Sequence, residues 1–171
     1  GEDCTSSLIT EGVEDVDYNK AGLYYVTYSH INKDGYLTKA KRTVAVCDPS
    51  ITTNIEGKYK VQSGSYRDNG SAQEEYAKYS VTIKKAASGL FYISDFFGGY
   101  YDQGRGYGST TAMTGYIQLM ADNSIKLLSS HVENWDDSLD SFENGKYDPA
   151  TGEISFDAAY AGQMTFHVIL K

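Results

Sequence analysis

Residues 90–119 read LFYISDFFGGYYDQGRGYGSTTAMTGYIQL, and this stretch contains the strongest signals for the fold. The apolar run at its start predicts a buried strand, and the alternation at its end predicts a second strand. Between them lie five glycines, from Gly98 to Gly108, which permit backbone turns that other residues resist. The stretch therefore predicts two neighbouring strands joined by a long, aromatic, glycine-rich loop.

The loop and a tryptophan further along the chain supply candidate ligand-binding side chains. Flat aromatic rings stack on the apolar faces of sugar rings, while Asp and Arg side chains bond hydroxyl groups. The alternative is that the tyrosines fold back over one end of the sheet and that the tryptophan plugs that end. The predicted ligand-binding residues are Tyr100, Tyr101, Asp102, Arg105, Tyr107 and Trp135.

Composition limits the classes of partner. The 171 residues are 40% hydrophobic, which is enough for a packed core. The formal net charge of −8 argues against nucleic acids and anionic membrane surfaces, because both attract basic patches. We therefore expect a folded protein with neutral ligands or protein partners.

Short alternating segments separated by turn residues continue along the rest of the chain. Sequential strands with short connections predict an antiparallel meander and an all-β fold. Closing the meander into a lipocalin-like barrel would hide its edges, and this is the preferred prediction; a flattened sandwich also fits. The eight predicted strands span residues 58–65, 75–85, 89–97, 114–120, 124–132, 141–147, 153–160 and 163–170.

The first part of the chain predicts a separate, smaller unit. Residues 23–29 and 37–46 alternate around a turn at residues 32–35, NKDG, which favours a hairpin. Residues 48–50, DPS, then interrupt the pattern, because proline cannot donate to a strand ladder. The predicted organisation is a β module over residues 1–48, a linker over 49–54 and a β domain over 55–171.

Two resemblances follow from these segments. Residues 18–46, YNKAGLYYVTYSHINKDGYLTKAKRTVAV, resemble the immunoglobulin-like modules of bacterial surface proteins, although the segment is shorter than a usual immunoglobulin-like sandwich. The runs GKYKV at residues 57–61, YISDFFGGYY at 92–101 and YDPATGEISF at 147–156 resemble the carboxy-terminal module of Bacteroidetes outer-surface lipoproteins of unassigned function.

The resemblance implies a location and a kind of work. It implies a protein on the outer face of the cell, anchored to the outer membrane only through a lipid, with the export signal and anchor expected outside this sequence. It also implies a non-catalytic module that binds a glycan or another small nutrient. The alternative is a structural component, in which an immunoglobulin-like spacer presents a docking domain to neighbouring surface proteins.

No reactive constellation emerges from residue spacing. His30, His131 and His167 are scattered, and His167 is predicted to lie on the face of the last strand opposite Phe166 and Val168. The acidic residues 136, 137 and 140 lack the pattern of a calcium loop. We therefore predict no enzyme activity, no cofactor and no metal site, although carboxylates assembled in space could still form a glycan-active enzyme.

The two cysteines, Cys4 and Cys47, lie near the ends of the first predicted module. Their spacing matches no zinc motif. In an exported protein they would form a disulfide, and the alternative is two reduced, partly buried thiols.

Overall fold

The computed structural model describes residues 3–171 and divides the chain into two compact units, of which the first ends at Asp48 and the second covers Pro49–Lys171. The segment 49–54, predicted as a linker, belongs to the second unit, where the side chain of Ile51 packs in the core. Among the described residues, no helix combines the length and the apolar character needed to cross a membrane.

The first unit contains a three-stranded antiparallel sheet. Its strands are β1 (Ile9–Glu11), β2 (Gly22–Ile31) and β3 (Leu37–Val46), in the order β1-β2-β3. The predicted hairpin between β2 and β3 is confirmed, and its turn is closed by the Asn32 side chain, whose Oδ1 accepts hydrogen bonds from the amides of Asp34 and Tyr36.

Both cysteines belong to the first unit. Cys4 and Cys47 are free and half-buried in the structure, and the disulfide stays a prediction for the exported protein.

The second unit consists of two five-stranded antiparallel sheets. One sheet has the order β10-β9-β8-β7-β4 and the other β11-β12-β13-β5-β6. The strands are β4 (Gly57–Lys60), β5 (Tyr66–Asp68), β6 (Gln73–Glu75), β7 (Ser80–Ala87), β8 (Leu90–Ile93), β9 (Met113–Leu119), β10 (Ile125–Val132), β11 (Ser141–Asp148), β12 (Glu153–Tyr160) and β13 (Met164–Leu170).

The prediction of an all-β fold is confirmed, but the preference for a closed barrel is wrong, and the flattened sandwich is the observed form. The two sheets meet at short contacts rather than long ladders. The Val61–Leu170 bridge is flanked by backbone hydrogen bonds between Lys60 and Lys171 and from Gln62 to Ile169, and a second bridge pairs Ser124 with Lys146. The physical reason lies in the predicted strand 58–65, which breaks at a turn where Gly64 has a φ of +93°. The chain pairs with β7 along β4 and with β13 along β5, and residues 60–62 between them bond the end of β13, so a short contact closes this edge in place of a continuous ladder.

The core of the second unit lies between the two sheets. Inward-facing residues alternate along β12 and β13, as the sequence pattern predicts, and His167 lies on the opposite face from Phe166 and Val168. The rings of Phe97 and Phe166 meet at a tilt with their centroids 4.5 Å apart, and the rings of Phe142 and Phe156 stack at 5.2 Å. The fully buried aromatic residues are Phe91, Phe96, Phe97, Phe156 and Phe166.

A buried carboxylate fixes both ends of the aromatic loop that follows β8. Asp95 Oδ1 accepts hydrogen bonds from the amides of Phe97 and Met113 at 2.8 and 3.1 Å, and Oδ2 accepts one from Gly99 at 2.8 Å. Met113 begins β9, so a single side chain ties the start of the loop to its end. Burial of Asp95, which is 3% exposed, makes these three bonds obligatory, since an unpaired buried polar group is costly.

Replacing Asp95 by Asn tests this tie. The variant keeps the side-chain shape, but the amide nitrogen of Asn is a donor. It would face one or more backbone amides that are also donors, so at least one hydrogen bond is lost. We expect Asp95→Asn to lower the free energy of unfolding by about 2–4 kcal/mol in urea titrations. Asp102→Asn is a change of the same chemistry in the same loop, at a half-exposed side chain with no hydrogen-bond partner among residues 3–171, and it should cost less than about 0.5 kcal/mol. Equal effects of the two changes would contradict the assignment.

The same carboxyl group gives stability a distinctive pH dependence. Burial raises the pKa of Asp95 from 3.8 to about 7, against the opposing effect of its three backbone hydrogen bonds. Between these two values the folded protein keeps a proton that the unfolded chain has lost, so stability from this group is full below about pH 4 and declines until about pH 7.

We expect the free energy of unfolding of the native protein to fall relative to that of Asp95→Asn between pH 5 and 7, by up to about 1.4 kcal/mol per pH unit. Above pH 7 the difference should become constant. Urea titrations of both proteins at pH 5, 6, 7 and 8 measure it, and parallel profiles across the range would overturn the expectation.

Candidate functional site

The loop tied by Asp95 turns sharply before it reaches its tyrosines. Gly98 and Gly99 both have positive φ, and a Cβ on Gly99 would lie 2.6 Å from the Cβ of Tyr79, so no larger residue fits there. The residues Tyr100–Gly104 then form one π-helical turn, in which the amides of Gly104 and Arg105 bond the carbonyls five residues earlier. This wide turn sends successive tyrosines in different directions.

Tyr100 points inward and is only 4% exposed, so it presents no ring face to solvent as a ligand platform would. Its ring packs edge to face against Tyr76 and Phe166. Its hydroxyl donates a hydrogen bond to Glu74 at 2.6 Å. Burial, followed by this bond to Glu74, raises the pKa of the Tyr100 hydroxyl.

Arg105 completes the same polar network. One guanidinium nitrogen donates to both carboxylate oxygens of Glu74, at 2.8 and 2.6 Å, and also to the hydroxyl of Tyr100. The guanidinium lies 4.9 Å from the centroid of the Tyr100 ring. Arg105 therefore links the loop to β6, and its guanidinium is bonded within the protein instead of being available to a ligand.

The remaining aromatic residues of the prediction do come together. The Tyr101 ring lies parallel to that of Tyr107 at 6.2 Å and perpendicular to that of Trp135 at 5.2 Å. Tyr107 is 62% exposed and Trp135 is 40% exposed, whereas Tyr101 is half-buried against Phe97. We name Tyr101, Tyr107 and Trp135 the aromatic rim.

Residues that support the aromatic rim were not predicted from the sequence. Trp135 lies in a short 3-10 turn, Glu133–Trp135, directly after β10, and its ring tilts over Tyr160 at 6.1 Å. The Tyr101 hydroxyl contacts the sulfur of Met164 at 3.3 Å. Tyr160 ends β12 and Met164 begins β13, and the two residues pair across the start of the hairpin turn. Alternation along β12 was a signal that could have placed Tyr160 on the inner face.

The surroundings of the aromatic rim are acidic. Trp135 is followed by Asp136, which lies 4.0 Å from His131, and by Asp137. Burial, and then the negative charge of Asp137, raises the pKa of Tyr160. Within residues 3–171 no group of three or more His, Cys, Asp and Glu side chains is arranged to hold a metal ion. The rim thus combines exposed ring faces with carboxylates that can accept hydrogen bonds from hydroxyl groups.

Comparisons with known proteins identify the two units separately. A family model described as a bacterial surface protein, Ig-like domain, matches residues 1–46, and a second model, which describes a C-terminal domain, matches residues 48–171. No curated protein matches the chain.

A solved structure extends the likeness to the whole chain. The lipoprotein BT2262 from Bacteroides thetaiotaomicron is 42% identical, with a TM-score of 0.67, and the match covers 100% of this chain and 84% of that one. This identity over the whole length, together with a family model that spans most of the chain, shows common descent of both units. The chain belongs to the family of bacterial surface lipoproteins in which an Ig-like domain precedes this C-terminal β domain.

Proposed function

We propose that this protein is a non-catalytic module of the cell surface that binds carbohydrate, or a related nutrient, through its aromatic rim. The proposal includes a lipid anchor that holds the protein on the outer face of the outer membrane. Membership of a surface lipoprotein family supports the location, and the exposed rings support the ligand class.

The observation that carries the proposal is the exposure of Tyr107 and Trp135 beside a fixed Tyr101. A single exposed ring is ordinary, but several exposed rings in contact with one another are typical of a binding surface. The perpendicular arrangement of Tyr101 and Trp135 offers a corner that fits the edge and face of a saccharide ring. Rings already held by Tyr160 and Met164 lose little freedom on binding.

The absence of catalysis is part of the proposal and has its own support. Two ionisable groups of the loop are engaged within the protein: Asp95 accepts from three backbone amides, and Arg105 donates to Glu74 and Tyr100. A general acid or base must reach its substrate by a hydrogen bond, and these groups are already bonded within the protein.

Removing exposed rings tests the rim. In calorimetric titrations with a panel of soluble neutral oligosaccharides, at least one should bind, and Trp135→Ala or Tyr107→Ala should each weaken its affinity about tenfold or more, because stacking is lost. Tyr36→Ala is the matched control, since Tyr36 is a 72% exposed tyrosine in the first unit. The affinity of this variant for the oligosaccharide should equal that of the native protein. No binding across the panel, or equal losses in all three variants, would refute the proposal.

A second candidate function, assembly with neighbouring surface proteins, is favoured by the hairpin of the first unit. Ile31, Tyr36 and Leu37 surround its turn and are 55%, 72% and 54% exposed. A cluster of exposed apolar side chains at one tip is typical of a contact surface. If assembly is the function, Leu37→Asp should abolish cross-linking of this protein to its neighbours on intact cells while Trp135→Ala leaves it intact; the reverse pattern would reject the assembly role.

A further inference from the structure

We propose that the outer face of β12 forms a second ligand site, a groove for a polyhydroxylated ligand such as a saccharide, built around His167, Asp157 and Asn144. This site is separate from the aromatic rim, which contacts β12 only through Tyr160 on the inner face. The choice of saccharide as ligand class rests on the proposed function, whereas the existence of the site does not.

The groove exists because the outward-facing residues of β12 are short. Ser155, Asp157 and Ala159 share this face, and a four-residue span of strand is about 13 Å long. Two recesses of about 220 and 460 Å³ lie along the face, and Asp157 lines both. Longer side chains on the neighbouring strands form the walls, including Glu143 and Lys146 on β11 and Tyr66 and His167 on β5 and β13.

A row of cross-strand partners orients the central histidine. Asp157 pairs with His167, and His167 pairs with Tyr66, in adjacent strands of the same sheet. The Nδ1 of His167 lies 2.6 Å from Oδ1 of Asp157, and its ring stacks on Tyr66 with centroids 5.1 Å apart. An ionised carboxylate only accepts, so Nδ1 donates the proton of this bond and Nε2 is the ring nitrogen that remains for a ligand.

A backbone irregularity brings a third group to this centre. The register of β11 against β12 shifts between Glu143 and Lys146, and Asn144 there has a φ of +54°. The bulge lets the Asn144 amide donate to Oδ2 of Asp157 at 2.6 Å. Bulges commonly re-aim one side chain, and here the result is a carboxylate whose two oxygens each hold a different polar neighbour.

The centre has unused capacity for hydrogen bonds. Among residues 3–171, Nε2 of His167 has no hydrogen-bond partner, although the side chain is 28% exposed and therefore reachable from solvent. Both on β11, Glu143 adds acceptors at one recess and Lys146 adds donors at the other. Ligand hydroxyls both donate and accept, so a saccharide satisfies this mixed set better than an anion, which only accepts, or an apolar molecule.

The chain offers a separate reporter for each site. Trp135 is the only tryptophan, so its indole N–H gives a single NMR signal for the aromatic rim. The Cε1–H signal of His167 reports on the groove, and its disappearance in His167→Phe assigns it among the three histidines. The experiment titrates the native protein with short neutral oligosaccharides, from disaccharides to tetrasaccharides, and follows both signals.

We expect the His167 signal of the native protein to shift saturably with at least one oligosaccharide. The same shift should occur in Trp135→Ala, which lacks the tryptophan of the rim. Asn144→Gly, which keeps the left-handed backbone but loses the amide, should raise the dissociation constant read from the His167 signal about tenfold. His167→Phe removes that signal, so it is combined with Trp135→Ala and titrated by calorimetry, where no binding should remain. Lys84→Ala, at an exposed position on the other sheet, should leave the dissociation constant at the groove unchanged. Melting temperatures within a few degrees of the native value exclude unfolding as the cause.

The outcomes separate the two sites. A shift of the His167 signal alone supports the groove and counts against the rim, and a shift of the Trp135 signal alone supports the rim and overturns the groove. Shifts of both signals, with different dissociation constants or with separate loss in the matching variants, support both sites. If neither signal moves with any oligosaccharide, both proposals fail.

Discussion

The bonds of the Asp95 carboxylate to three backbone amides determine what the rest of the second unit can present to solvent. Burying a carboxylate costs several kcal/mol, and hydrogen bonds to a charged acceptor, each contributing about 1.5–3 kcal/mol, offset part of that cost. The bonds fix where the loop leaves β8 and where it enters β9. Phe96 and Phe97 follow directly and are drawn into the core, so the path of the chain up to Gly99 is set before the tyrosines begin.

That constraint explains why three tyrosines of one loop have three different environments. With Gly99 fixed against Tyr79, the π-helical turn starts in the core, and Tyr100 must point inward. Tyr101 lies at the boundary, where it touches Phe97, and only Tyr107 is far enough along the loop to be mainly exposed. The exposed aromatic surface is therefore a consequence of the anchor, and a loop with the same residues but without it would bury a different set of rings.

Alternation along the chain predicted most of the long strands, because a two-residue period reports directly which side chains face the core. It did not predict β5 and β6, since Gln73–Glu75 is polar and exposed throughout and carries no apolar signal. It also could not decide between a barrel and a sandwich, because that depends on pairing between strands distant in sequence, here broken by the turn at Gly64. Similarly, the aromatic loop was evident from composition, but the inward turn of Tyr100 and the partnership of Arg105 with Glu74 depend on contacts across the fold.

The two surfaces of the second unit differ in what holds their side chains in place. The rings of the aromatic rim belong to loop and turn residues. Their positions therefore depend on the hydrogen bonds of Asp95 and on packing against Tyr160. His167, Asp157 and Tyr66 stand on strands, so their spacing is fixed by the ladder itself, and only Asn144 requires a local irregularity. Side chains fixed by a ladder and rings held by packing both pay little ordering entropy when they bind. A fold of this kind can therefore vary its loop from one relative to another without disturbing the outer sheet face, because the two surfaces share a core but not their supports.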